Sequence, residues 1–411
     1  MRPAPFWTLC RTDVLSQATR TDVLHQYGGN TMDKQMHLEY QADRIEATLA
    51  SHRVRSRVAG GMVTPRFVRF DLLLDRGTRL RRVHDLTEEL ALALEAPACR
   101  VVRRDGRVQV EVPRPDPQRI PFLRVYGQLE QPPPVTALVG LDEDAIPVLI
   151  RLPSPDVAHV LIAGNTGSGK TMLARTIALS LAMLSPPRSV QMVLIDPKRR
   201  GFAPLAELPH LLAPLVDSAS RAALLMARLV EEMERRDRCA CSEPRIVVFV
   251  DELADLLMAG KRSIERPLAR LAQRGREAGI HLVACTQHPT ARVIGSLVKS
   301  NFPVRIVGSV ASAEDAKVAS GLPRTGAQLL MGQGDFVLVA RGEQLRVQGP
   351  YISSREIKRL VTQLSEGRRR EAGRGERFLG MTRRLTAALA TPGGMVEQGS
   401  FLDKVRQHAT T

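Results

Sequence analysis

The sequence predicts an α/β fold, a mostly parallel sheet covered by helices on both faces, preceded by a small α+β domain. Three observations carry this reading. The apolar run Val160-Leu161-Ile162-Ala163 leads directly into the glycine-rich Gly164-Asn165-Thr166-Gly167-Ser168-Gly169-Lys170-Thr171. Beyond it, short and nearly continuous apolar runs alternate with helical patterns, and each run ends in a polar residue, as strands of a doubly covered parallel sheet do. Ahead of it, segments rich in Val and Phe alternate with helical stretches until proline clusters interrupt the chain.

At 411 residues the chain has room for two or three domains. Its 44% hydrophobic and 25% charged residues are ordinary for a globular protein, and no apolar run of membrane-spanning length occurs. Nothing at the N-terminus reads as a signal peptide. Cys10, Cys99, Cys239, Cys241 and Cys285 make no regular framework, so the sequence fits a reducing cytoplasm and the Cys239-x-Cys241 spacing reads as incidental. A net charge of +16 and a pI near 10.4 point to a polyanionic partner: DNA, RNA or an anionic membrane surface. With four Tyr, one Trp and ten Phe there is little to stack on bases, and contact with the backbone of a duplex is the simpler fit.

Residues 1–35 lack sustained periodicity and read as a mobile extension, with Met32 or Met36 as alternative starts. From 36 to 130 a small α+β domain is expected. A helix carries Leu38, Tyr40, Ile45 and Leu49; strand-like segments follow at 54–58 and 66–72; a short segment at 80–83 precedes a helix at 86–94; and strands recur at 100–102 and 108–112. Arg100, Arg103, Arg104 and Arg107 there form either a DNA-facing patch or a solvated rim. Prolines at 113–117 and 132–134 mark connectors, and residues 138–141 and 146–150 read as a hairpin. The second domain spans 131–362. It has strands at 160–163, 191–195, 246–250, 280–285 and 304–307, with helices at 172–184 and 221–236 and a further helix carrying Ile264, Leu268 and Leu271. Residues 363–411 read as a basic, flexible tail.

The glycine-rich stretch is a complete G-x-x-x-x-G-K-[ST] phosphate loop. Its glycines let backbone N–H groups close on phosphate oxygens at a helix N-terminus, Lys170 reaches the β- and γ-phosphates, and Thr171 offers a hydroxyl to Mg²⁺. About eighty residues on, the apolar run 246–250 ends in Asp251-Glu252. Asp251 suits Mg²⁺ held through water and Glu252 suits orientation of an attacking water, unless Asp251 merely caps a helix. Gln287, after the next strand, is a γ-phosphate sensor or a strand-end cap. Arg270, Arg274 and Arg276 reach a neighbouring subunit's nucleotide or form a solvated face. His281 reads as a core histidine rather than a catalytic one.

These residues resemble the FtsK/SpoIIIE family of DNA translocases, in the RecA-like/HerA group of P-loop motors. The likeness runs through 163–171, Leu194-Ile195-Asp196-Pro197-Lys198, Pro209-His210-Leu211-Leu212, 230–236, 250–256, 268–276, 278–282, Thr286-Gln287-His288-Pro289 and 326–335, and covers about 40–360. The segment 54–129 looks like that family's small α domain. The resemblance implies an ATP-hydrolysing motor with Mg²⁺, a homo-oligomeric ring, usually a hexamer, and double-stranded DNA as partner; the basic helix that leads directly to the Gln287 strand makes Arg276 the candidate to act in trans. Three departures are expected: no membrane region, no winged-helix γ domain, and Val307-Gly308-Ser309-Val310 where the family commonly carries a second arginine after Arg305. A conjugation-type coupling ATPase, or a secretion ATPase acting on protein, is the alternative within the same motor class.

Overall fold

The structure, a computed structural model, describes residues 31–104, 106–287 and 301–372. Two compact units form. One takes the described residues up to Gln131 together with Gly140–Val148, the other Pro132–Val139 and the chain from Leu149 onward.

In the first unit a long helix α1 (Thr31–Ser51) precedes the hairpin β1 (Ser56–Val63) and β2 (Phe67–Leu74). Two short helices, α2 (Leu80–His84) and α3 (Thr87–Ala93), lead to a second hairpin, β3 (Arg100–Arg104) and β4 (Arg107–Pro113). The sheet is antiparallel, in the order β1-β2-β4-β3. Val68, Phe70 and Leu72 alternate along β2, and with Val110 and Val112 of β4 they meet Ile45 and Leu49 of α1 and Val83 and Leu90 of α2 and α3. One face of the sheet is thus dry, which is what period-two patterning specifies. β1 is bulged between Val58 and Gly60, and at Gly61 a Cβ would sit 2.6 Å from the Arg69 carbonyl oxygen, so the close approach of β2 requires glycine there. A short helix α4 (Phe122–Tyr126) follows.

A nine-stranded sheet carries the phosphate loop, in the order β6-β5-β13-β12-β11-β7-β10-β9-β8. Its strands are β5 (Thr136–Asp142), β6 (Pro147–Arg151), β7 (Val160–Ala163), β8 (Val190–Ile195), β9 (Arg245–Val250), β10 (Ile280–Thr286), β11 (Val304–Val307), β12 (Asp335–Ala340) and β13 (Glu343–Gln348). β11, β7, β10, β9 and β8 are parallel to their neighbours in that run, whereas β12 pairs antiparallel with β11 and with β13. The sheet is therefore mixed: a parallel core extended by a hairpin that the sequence analysis did not identify. Arg341 and Gly342, both at positive φ (52° and 77°), make the two-residue turn that matches the twist of β12 and β13.

Helices α5 (Lys170–Leu184), α6 (Ala219–Arg238), α7 (Leu253–Gly260), α8 (Arg262–Arg274), α9 (Ala313–Ser320) and α10 (Ser354–Ala372) complete the unit. Ser218 caps α6 by accepting from the Arg221 N–H, and Ala222, Leu225, Met226, Leu229 and Met233 make its buried stripe. The core expectation for His281 fits: it is fully buried, its Nδ1 lies 2.9 Å from the Ala158 oxygen, and burial lowers its pKa to about 4.

The short segment at 80–83 is helical and buries Val83 in the core. Two local expectations are corrected. Cys239 and Cys241 are joined by a disulfide just after α6, while Cys99 and Cys285 are free and buried. The chain also stays helical past residue 363. Ser353 and Glu356 form a reciprocal capping box at the start of α10, buried Ile357 and Val361 tie it down, and the Ser365 hydroxyl donates to the Glu207 oxygen. The extension before Thr31, His288, Pro289, the side chains of Arg368, Arg369 and Arg370, and the tail from 373 lie outside the described residues. Among the described residues no helix is long and apolar enough to cross a membrane.

Candidate nucleotide site

β7 and α5 are joined by the loop 164–169, whose Gly164, Gly167 and Gly169 all have positive φ (147°, 84° and 101°). Space matters as much as torsion. A Cβ on Gly169 would come within 2.7 Å of the Gly334 nitrogen, and one on Gly164 within 3.2 Å of the Gly308 backbone. The loop is held by its outward-facing groups. Asn165 donates its N–H to the Ser309 oxygen (2.7 Å), while the Gly167 and Ser168 oxygens accept from the N–H groups of Gln333 (2.9 Å) and Gly334 (2.8 Å). The Ser168 N–H donates back to the Asn165 oxygen (3.2 Å), whereas the outward turn of the Ser168 carbonyl leaves the Gly169 N–H, on the other side of the same peptide plane, to point inward at the start of α5, where the helix dipole favours an anion.

Lys170 is buried, and its Nζ donates to the Asn165 oxygen at 2.9 Å. Burial lowers the pKa of its ammonium, and the neighbouring Cys285, Glu252 and Asp251 oppose that shift. A lysine folded back on its own loop and poorly hydrated gains most from an incoming phosphate. Thr166, on the same loop, donates its hydroxyl to Gln287 Oε1 (2.7 Å), so the loop and the end of β10 are bonded to each other.

The strand ends supply the acids. The Thr171 hydroxyl donates to Asp251 Oδ1 at 2.9 Å, joining two motifs that lie 80 residues apart in the chain. Burial raises the Asp251 carboxyl; the Thr171 bond opposes this, and nearby Asp196 adds to the rise. Asp196, at the end of β8, is fully buried; its Oδ2 accepts from the Phe202 N–H at 2.9 Å, and its Oδ1 has no hydrogen-bond partner among the described residues. Two crowded carboxylates, one of them with an orphaned oxygen, and a hydroxyl are hard oxygen donors, the chemistry that suits Mg²⁺, which takes one or two carboxylates and fills its octahedron with phosphates and water. Arg175 clamps the loop over these acids by donating to the Gly201 and Arg200 oxygens, and Gly201 lies so close that a Cβ would strike the Asp251 carboxyl.

Glu252 is 3% exposed and accepts from the Thr286 hydroxyl (3.1 Å) and the Gln287 N–H (3.1 Å). Burial raises its pKa, and these two donors hold it back. Lys170, Thr171, Asp251, Glu252 and Gln287 are therefore brought to one end of the parallel core, where ligands bind in such sheets. Arg276 is not among them. It sits exposed before the first residue of β10, at the opposite end of a strand ~20 Å long at about 3.3 Å per residue. Arg270 and Arg274 are paired with Glu234 and Asp237.

Sequence reasoning gave no role to Asp196, Arg175, Gly308 or the segment 332–335. The departure at Val307-Gly308 has a local cause: the Gly308 N–H donates to the Ala163 oxygen (2.8 Å), and a Cβ there would lie 2.7 Å from Ser168 Cβ, so the phosphate loop packs where a side chain would stand. Asp335 and Arg346 form a buried fork (Nε to Oδ1 and Nη2 to Oδ2, both 2.9 Å), and Asp335 also accepts from the Met331 N–H (3.1 Å), fixing the segment whose N–H groups grip the loop.

The profile of the FtsK/SpoIIIE family matches residues 128–242 and 237–291, and that of the FtsK alpha domain matches 20–114. Among curated proteins the chain is 34% identical over 356 residues to the DNA translocase FtsK of Sporosarcina ureae, covering 79% of this chain and 45% of that one. It is 33% identical over 354 residues to the DNA translocase SftA of Bacillus subtilis, covering 79% and 37%. The chain thus spans less than half the length of these relatives. Among solved structures it is similar to the pCW3 conjugation coupling protein TcpA, a monomer with ATPγS, at a TM-score of 0.56 and 19% identity over 80% of this chain and 99% of that one, a likeness of fold.

Proposed function

Since the chain belongs to the FtsK/SpoIIIE family, we propose that it is an ATP-driven motor that moves along double-stranded DNA as a ring of identical subunits in the cytoplasm. In this reading residues 36–130 are the small α domain and 131–362 the motor. The observation that supports it is the Thr171–Asp251 hydrogen bond beside a buried Glu252 next to the phosphate loop, an arrangement that suits a metal-binding pair and a base. The names of the relatives support DNA as the track, and the charge of +16 fits a polyphosphate partner.

The inward N–H groups of the loop and Lys170 bind the β- and γ-phosphates. Thr171 and Asp251, with Asp196 behind them, would hold Mg²⁺, which when bound offsets phosphate charge. Glu252, kept dry and aimed by Thr286 and Gln287, orients the attacking water and takes up its proton. Loss of the γ-phosphate would be felt at Gln287 through its bond to Thr166. Arg276, far from its own loop and free of ion pairs among the described residues, is the arginine offered to the next subunit's nucleotide.

Hydrolysis measured with and without linear duplex DNA tests the reading. Several-fold stimulation by duplex, absent with single strands, is expected; a basal rate indifferent to duplex at low salt removes DNA as the track.

A further inference from the structure

Of the arginines that the sequence groups at residues 100–107, Arg100 stands apart from Arg103 and Arg107. Arg100 is drawn to Glu111 and lies at the other end of β3 from Arg103. The register assembles a different cluster. Leu74 of β2 faces Ser56 of β1, Leu72 faces Val108 of β4, and Arg104 of β3 faces Arg107, so one end of the sheet collects the start of β1, the turn after β2 and the β3–β4 turn. The Asp75 N–H donates to the Arg55 oxygen across that end, and α2, which follows the turn, packs beside β3.

This end carries Arg55, Arg57, Arg76, Arg79, Arg82 and Arg103, all exposed. No ion pair or side-chain hydrogen bond engages any of the six among the described residues, whereas Arg69, Arg107 and Arg114 of the same unit are each bonded to a carboxylate. Among the described residues the same end offers Asp71, Asp75 and Asp85 against them, and Asp71 is already held by Arg107 and Gln109. Leaving six cations side by side without partners costs the fold self-repulsion, and a polyanion removes that cost.

We propose that this arginine rim of the small domain is a second contact surface for the phosphate backbone of duplex DNA, separate from the nucleotide-driven motor. The proposal rests on the reading of the chain as a DNA motor. Four strands span three spacings of about 4.8 Å, so the rim is roughly 14 Å wide. Duplex DNA presents a charge per about 1.7 Å of axis, so that width faces about eight phosphates, more than the rim can neutralise. The guanidinium fork matches phosphate geometry. The aromatic residues of the sheet, Phe67 and Phe70, are turned inward or partly covered, so the contact has no stacking surface and reads no sequence.

The test is the salt dependence of duplex binding by the full chain and by R55A/R76A/R79A, with R238A/R262A/R266A, three exposed arginines of the other unit, as a control of equal charge loss elsewhere. The rim variant is expected to lose affinity and to flatten the slope of log K against log salt by about 2.7, or 0.9 per phosphate contact, with basal hydrolysis unchanged. The single change Arg79→Gln, expected to flatten the slope by about 0.9, serves if the triple variant fails to fold. Slopes equal to wild type in a folded rim variant overturn the proposal alone. An unaltered chain that binds no duplex at low salt overturns both it and the motor reading. If polyglutamate, and not duplex, protects residues 75–82 from hydrogen exchange, the rim serves an acidic protein and the proposal is wrong.

Discussion

Lys170 and Glu252 are both buried and both held by protein atoms, yet they are held for different tasks, and their substitutions should separate. Among the described residues Lys170 donates only to a carbonyl of its own loop. Replacing it with Ala removes the loop's cation, and nucleotide binding should fall below detection in a fluorescent-ATP titration. Glu252→Gln keeps the shape of the acceptor and should bind ATP normally while turnover drops ~10²-fold or more. Wild-type turnover in that variant would remove Glu252 as the base. Asp196 belongs to the same scale. If its unpartnered Oδ1 faces the metal, Asp196→Asn should raise the Mg²⁺ concentration needed for nucleotide binding, read by titrating Mg²⁺ at fixed nucleotide; an unchanged requirement confines Asp196 to bonding Phe202. The loop and the Asp251-Glu252 pair are legible in sequence because spacing within a strand–turn–helix fixes them locally. Asp196 is not, since a strand-end aspartate becomes informative only when burial leaves one of its oxygens without a partner.

At the scale of elements, the β12–β13 hairpin and the Gly308-Ser309 turn brace the phosphate loop from outside. The parallel strands are readable as apolar runs because both their faces are covered. The hairpin lies in the same sheet, yet the phosphate loop is gripped by the backbone N–H groups of Gln333 and Gly334 just before β12, and backbone groups carry no residue preference that a pattern could reveal. What fixes it is the Asp335–Arg346 fork. Arg346→Lys keeps the charge but cannot span both carboxylate oxygens. Expected is a ~10-fold weaker nucleotide affinity, about 1.4 kcal/mol, with the rate at saturating ATP near wild type, because the chemistry groups are untouched. Titration and steady-state kinetics on a variant of unchanged melting temperature decide the matter. Equal affinity would reduce the fork to packing.

For the whole molecule the decisive geometry is that Arg276 and the phosphate loop lie at opposite ends of the parallel core. A positive group ~20 Å from its own nucleotide cannot offset charge there, because at that range exposed charges are screened by salt. It can do so for a neighbour if subunits are arranged head to tail, as a heterologous ring requires. Arg276→Ala and Glu252→Gln should therefore each abolish hydrolysis in uniform rings by removing different halves of one composite site. In mixed rings, an interface that takes Glu252 from an Arg276→Ala subunit and Arg276 from a Glu252→Gln subunit is complete again. Mixing the two inactive proteins before assembly should restore a fraction of activity that peaks near equal proportions, where such interfaces number about one in four of all junctions by random assortment. Two outcomes sink the assignment: uniform Arg276→Ala rings that hydrolyse at the wild-type rate, or mixtures that stay inactive while gel filtration shows the two variants assembled together.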